Sequence, residues 1–451
     1  MRTVWVMAVL LLLGGACTRT PVRRQRVADG GVDAGPKTDG GGPPDAGQGS
    51  DGGSDDGGAP ADAGITDGGL AGTWERLGPP LGLDAQVYPA MAMDLSGRVL
   101  VAYADLLEQP GTTTTELRVV RWSGQTWEPV GEIVARSENR MPFSAPLWVR
   151  LTTDGSGRPV LVVGDSGAGS TSGAFPASSW MFDGTAWRPM RVPGGAEQLG
   201  GLAVGRDADG RVQLALSTGR TLGLYTLGPD DWTPDGASLA IDGGISEPDV
   251  APGEDGSTLL AFSEALAPGS FGALRAWRHT DAGWVDLRLP SPQANALLFH
   301  SPRVRGQPDG GAVVAVSEWQ YDPIGKTQIG VAVPVFRLGE GGWSRLDDDG
   351  APGGFGLSEP IPGSPVGLQL SGEVPVAIST NSDGGVVLRA FTPSGSTRMA
   401  PVLGGVGAGT LLLMPDGTAV VGAVTPLQQE PGPRDGGQVQ LLHFTGAVTG
   451  P

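Results

Sequence analysis

Chemistry-bearing side chains are spread unevenly along these 451 residues. Large and ionisable types gather at Glu318-Trp319 and Tyr321-Asp322, while Glu264, His300 and Arg140 stand in other stretches of irregular composition. Trp319 and Tyr321 offer ring faces on which a ligand could stack. Glu318, Asp322, Glu264, His300 and Arg140 could supply the few polar contacts that orient it. These seven are the candidate ligand-binding residues. Catalytic constellations are harder to assemble. His279, His300 and His443 are the only histidines, and their spacing suits no metal. No Gly-x-Ser-x-Gly elbow occurs. Two carboxylates could run glycoside hydrolysis, but nothing in the sequence singles out a pair, so no catalytic residue is assigned. No metal and no cofactor is expected.

Cys17 is the only cysteine. No disulfide can form within the chain, and no thiolate cluster can hold a metal. Met1-Arg2 gives a positive start, Thr3 to Leu13 an apolar run, and Gly14-Gly15-Ala16 small residues directly before Cys17. The run is too short for a spanning helix and follows the plan of a secretory signal peptide over residues 1–16. Leu13-Gly14-Gly15-Ala16-Cys17 resembles the lipobox of bacterial lipoproteins, with Leu13 one position earlier than the family pattern places it. The resemblance implies cleavage before Cys17 and a diacylglycerol thioether on its sulfur. The membrane would then be a partner, reached through that lipid. In the family an Asp after the cysteine retains the product at the inner membrane. Thr18 stands there instead, which implies the outer membrane of the cell envelope.

Residues 17–71 read as the lipidated cysteine and a tether. Asp-Gly-Gly and Asp-Ala-Gly units recur, and positions 18–71 hold no aromatic residue. Such a segment cannot bury enough apolar surface to fold. As a coil it would span roughly 40 Å. The net charge is -18, and most of it belongs to residues 72–451. An acidic domain lacks the basic face that nucleic acid needs, so none is expected as a partner.

What must position the candidate residues is a repeat over residues 72–451. An Asp/Gly turn precedes an apolar strand, clearest as Asp94-Leu95-Ser96-Gly97 before Arg98-Val99-Leu100-Val101-Ala102-Tyr103. Seven copies end at glycines 97, 157, 210, 256, 310, 372 and 417. A second landmark follows the first five, a hairpin ending in Trp127, Trp187, Trp232, Trp284 or Trp343. Its apolar ends are five residues apart in Trp122–Trp127 and seven in Trp277–Trp284 and Phe336–Trp343. Four short strands per unit make a blade, so the expected fold is all-β, a seven-bladed β-propeller of four-stranded antiparallel blades. The last unit lacks a fourth strand, and Gly72-Thr73-Trp74-Glu75-Arg76-Leu77-Gly78 is a fourth strand without a blade. The N-terminal strand should therefore complete the last blade and leave no free edge. In architecture this resembles kelch and sialidase-like propellers. The regular Trp residues are expected to pack between blades.

Strand order puts the tight turns on one face. The other face should collect longer loops, among them Ala104–Glu116, Gly164–Ser178, Ser317–Gln328 and Val424–Gly437, and the links Glu132–Ala145 and Arg288–Ser301. The candidate residues fall in or beside these stretches, where rigid scaffolds usually carry function. The expectation is a monomeric, surface-tethered, noncatalytic propeller that binds a protein or glycan on that face. The alternative is a propeller glycoside hydrolase or lyase acting on extracellular glycans. Acids converging with an Arg or Tyr at the central channel would favour the enzyme, and an apolar channel the binding module.

Overall fold

A computed structural model describes residues 69–85, 89–109, 112–139, 146–165, 177–193, 199–265, 272–290, 297–321, 328–346, 367–380, 385–391, 397–400, 407–426 and 437–448. Residues 1–16, Cys17 and the tether as far as residue 68 lie outside them.

The described strands form seven antiparallel sheets. Blade I comprises Ala90–Met93, Val99–Gln109, Thr112–Trp122 and Trp127–Pro129. Blade II comprises Pro146–Thr153, Pro159–Asp165, Ala177–Phe182 and Trp187–Met190. Blade III comprises Leu199–Arg206, Val212–Thr218, Thr221–Leu227 and Trp232–Pro234. Blade IV comprises Gly244–Pro252, Thr258–Ala265, Gly272–Thr280 and Gly283–Asp286. Blade V comprises Leu297–Gly306, Ala312–Tyr321, Val335–Gly339 and Gly342–Arg345. Blade VI comprises Gly367–Ser371, Val374–Thr380, Val386–Phe391 and Thr397–Met399.

Blade VII takes Gly407–Leu413, Ala419–Pro426 and Gly437–Phe444 from the C-terminal end and Trp74–Arg76 from the N-terminal end. Trp74 pairs with Phe444 and Arg76 with Leu442, which is the closure the unmatched N-terminal strand calls for. The first strands of neighbouring blades touch all the way round, blade VII meeting blade I. The globular part starts before Gly72, because Leu70 is already buried in the cluster between blades VI and VII.

The core is seven apolar clusters, one at each seam between blades. This explains the continuous apolar second strands. Side chains alternate faces along a strand. Val99, Val101 and Tyr103 therefore enter the seam with blade VII, and Leu100 and Ala102 the seam with blade II. Each fully buried Val or Leu is worth about 1.5–3 kcal/mol, so every second strand stabilises two seams. The seven landmark glycines all hold φ between 59° and 81°. That left-handed turn conformation is one glycine adopts without strain.

Two expectations change. The Ala104–Glu116 stretch is largely strand, with Ala104 opposite Leu117 and Gln109 opposite Thr112. Ala135–Asn139 adds a further edge to this hairpin. The β-branched run Thr112–Thr115 favours an extended backbone over a loop. Ser317–Gln328 behaves alike as far as Tyr321, between Leu297–His300 on one side and Gln328–Ala332 on the other. The second difference concerns the Trp hairpins. Trp284 pairs with His279 and Trp343 with Leu338, as Trp127 pairs with Trp122. All keep the same turn. Trp277 and Phe336 lie two residues further back on the same strand face, so spacing alone mistook them for the partners.

Candidate functional site: an ionic cluster on the propeller axis

The first strand of each blade lies nearest the axis, and in several blades it is interrupted by charge. The level of each residue can be read from the first turn. Asp154, Asp207, Gly253 and Gln307 open equivalent turns, each donating its N–H to the carbonyl four residues on. Counting four residues back gives Arg150 in blade II, Ala203 in blade III, Asp249 in blade IV and Arg303 in blade V, all at one level.

Asp249 is buried and fully engaged. Its Oδ2 accepts the Val304 N–H at 2.9 Å and Arg305 Nη1 at 3.0 Å, tying blade IV to blade V. Arg305 Nε reaches Gln369 Oε1 at 3.4 Å, and Gln369 Nε2 donates to the Leu411 carbonyl at 3.2 Å. These links join blades V, VI and VII near the axis. Arg150 and Arg303 differ. Each is half-buried, and each donates Nη1 to a carbonyl of its own strand, Val149 at 3.1 Å and Pro302 at 2.8 Å. Among the described residues neither forms an ion pair with a carboxylate. Burial, reinforced by the like charge of Arg303, lowers the Arg150 pKa to about 10. Arg206 is likewise lowered by burial.

One step toward the long-loop face, blades IV and V carry matching irregularities. The pairing register shifts between Ser246 and Asp249 and between His300 and Arg303. Within these bulges Glu247 has φ 50° and Ser301 φ 49°. Each precedes a proline, Pro248 and Pro302. A non-glycine residue in this region is costly, and such outliers gather where a side chain is being aimed. The two bulges face each other across a seam. Glu247 accepts the Ser301 N–H, and its Oε1 stands 3.7 Å from His300 Nδ1. Burial opposes ionisation of Glu247, but His300, the Ser301 N–H and the field of Arg303 outweigh it and hold the carboxyl below its ordinary value. Gly201 of blade III makes room for this bulge. A Cβ there would lie 2.6 Å from Pro248 Cδ and 2.9 Å from the Glu247 nitrogen.

Of the seven candidate residues, the structure brings His300 into this cluster. Glu264 and Glu318 occupy equivalent Ser-Glu positions on the second strands of blades IV and V, and both are buried. Glu264 is tied to Arg275 Nε at 2.6 Å and accepts the Gly243 N–H at 3.2 Å, which makes it a clamp at a strand end. Trp319 and Tyr321 sit on strand backbone rather than in a loop, and their side chains fall outside the described part. Arg140 and Asp322 lie outside the described residues, as does Cys17. The sequence reading missed Arg150, Arg303, Glu247 and Asp249. Their signal was a charged residue inside an otherwise apolar first strand, as in Val149-Arg150-Leu151 and Pro302-Arg303-Val304.

The arrangement is chemically suited to an anion. Two guanidiniums without carboxylate partners share a level on the axis of a chain whose net charge is -18. Beside them stand an ionised carboxylate and an imidazole that could exchange a proton. Among the described residues no three His, Cys, Asp or Glu side chains converge as a metal site would need.

No protein-family model matches the sequence, and no match is found among curated proteins. Solved structures do share the fold. An ulvan lyase of polysaccharide lyase family PL25, with -[GlcA(1-4)Rha3S]- bound, is 12% identical, with a TM-score of 0.51 over 83% of this chain and 94% of that one. The polysaccharide lyase Uly1 is 10% identical, with a TM-score of 0.50 over 83% and 93%. At these identities the likeness is one of fold. The chain is a seven-bladed β-propeller.

Proposed function

We propose that this chain is a glycan-binding propeller displayed at the cell envelope. Lipid on Cys17 anchors it in the outer membrane, and the Asp/Gly tether holds the ring away from the surface. The ligand meets the ring at the axial end of the long-loop face. One observation carries this reading. Polar and charged irregularity is concentrated on the axial strands of blades II to V, while the perimeter of blades I to V repeats one Trp hairpin. The solved propellers similar to this chain include proteins that act on polysaccharides.

A second reading, a lyase, is favoured by His300 and Glu247 beside Arg150 and Arg303. A guanidinium on a uronate carboxylate would acidify the neighbouring C–H. The imidazole would take that proton, a carbon–carbon double bond would form, and the glycosidic C–O bond would break with protonation of the leaving oxygen. One experiment separates the two. The full chain, purified in detergent, is screened against a glycan array and then incubated with each bound glycan while ultraviolet absorbance is followed. Binding without an unsaturated product supports the binding module, and an unsaturated product that disappears in H300A supports the lyase. Failure to bind any glycan overturns both.

A further inference from the structure

We infer that Arg150 and Arg303 form an anion subsite on the propeller axis, taking the carboxylate or sulfate of an acidic polysaccharide. This rests on the glycan-binding reading and names the class of ligand within it. A half-buried guanidinium normally acquires a carboxylate, because leaving a charge without a partner in a low-dielectric setting is expensive. Elsewhere in this ring most half-buried arginines keep the rule; Arg206 is an exception, with its Nε on the Thr153 carbonyl. Arg98 pairs with Asp94, Arg158 with Asp154, Arg211 with Asp207, Arg275 with Glu264 and Arg305 with Asp249. Arg150 and Arg303 depart from it together and at the same level of two blades. Each uses one Nη on its own strand and keeps the rest of its fork available.

Nearby acids reach them through their field and form no ion pair with either. Asp249, at their level, is committed to Arg305 and the Val304 N–H. Glu247 is committed to the Ser301 N–H and lies beside His300. The bulges in blades IV and V place that carboxylate against the Ser301 N–H. The fork geometry of a guanidinium matches a planar carboxylate or the edge of a sulfate. Two such forks from non-adjacent blades would grip one anionic group from both sides of the axis. The acidic exterior would keep away polyanions that cannot seat a group there.

The test uses the full chain in detergent and three probes: polygalacturonate for carboxylate, κ-carrageenan for sulfate on a neutral backbone, and dextran as the uncharged control. The variants are R150Q and R303Q, with R188Q on an outer hairpin as a matched change of charge. The expected result is binding of polygalacturonate or κ-carrageenan, weakened about tenfold or more by R150Q and by R303Q, and unchanged by R188Q. The probe that shows the dependence identifies the group. Should either Gln variant fail to accumulate, the unmodified chain still decides. Its binding must fall steeply as sodium chloride is raised, and insensitivity to salt overturns the subsite. Polyanion binding that both Gln variants retain, or binding of dextran alone, overturns it while leaving the glycan-binding reading intact. Failure to bind any glycan on the array overturns that reading itself.

Discussion

The perimeter and the axis of this ring solve opposite problems with the same strands. At the perimeter a fourth-strand Trp closes five of the seven seams, those before blades I to V. Trp127, Trp187, Trp284 and Trp343 donate Nε1–H to backbone carbonyls of Pro79, Val130, Ala237 and Leu287, each on the element before. Trp232 does so to Ser179 Oγ at 2.9 Å. These contacts repeat because the five seams are closed by the same hairpin. On the axis the side chains vary: at one level blades II to V carry Arg150, Ala203, Asp249 and Arg303. Repetition marks what the fold requires, and its absence marks what a ligand could require.

The sharpest way to break this comparison is at the perimeter. Trp232→Ala removes a buried indole and its hydrogen bond to Ser179 Oγ, so it should cost about 3–5 kcal/mol in denaturant unfolding and leave affinity per folded molecule unchanged. An equal loss of affinity would show that the perimeter also serves binding. Asp249→Asn comes next. It leaves the half-buried Arg305 without its counter-charge and should cost about 1.5–3 kcal/mol, read as a lower melting midpoint. Gly201→Ala drives a methyl into Pro248 and should cost about 1–3 kcal/mol, with polyanion binding weakened because the Glu247 bulge must move. Arg150→Met should do the reverse. Replacing a half-buried charge that has no ion pair should stabilise the ring by about 1 kcal/mol while weakening anion binding. Its sign follows from linkage. A base whose folded pKa is depressed to about 10 costs stability at neutral pH, and that cost begins to shrink as pH rises through that value and is gone only above the ordinary arginine value.

The smallest effect belongs to the exposed hairpin turn at Asp183. N–H groups of Ala186 and Thr185 and the Thr185 hydroxyl hold its carboxyl at about 2. A carboxylate depressed in the folded state contributes stability above its ordinary value, and loses it as pH falls through the folded one. Asp183→Ala should therefore lower the melting midpoint slightly at neutral pH and not at all in strong acid.

How far the sequence could be read follows the same divide. The blade count was legible because each unit must turn sharply on a glycine, and Gly97 to Gly417 recur for that reason. Closure was legible because Trp74 stood before the first blade with no partner of its own. The long-loop inventory was read less well. Strands that outgrow their blades, such as Thr112–Trp122, lose their apolar pattern where they leave the core, so the Thr run looked like a loop. The axial residues were not legible as a site. Arg150 and Arg303 are about 150 residues apart in sequence, and only the common level of their turns brings them together. His300 entered the candidate set for its type, and the bulge that seats it against Glu247 recurs on the first strands of five blades, so it did not single this seam out.

Amide hydrogen exchange of the full chain, with and without the acidic polysaccharide it binds best, tests the division between axis and perimeter most directly. Ligand should slow exchange in residues 147–152, 246–250 and 300–305 and leave the hairpins at Trp127, Trp187, Trp232, Trp284 and Trp343 unchanged. Protection confined to those hairpins, with the axial strands exchanging as before, would contradict it.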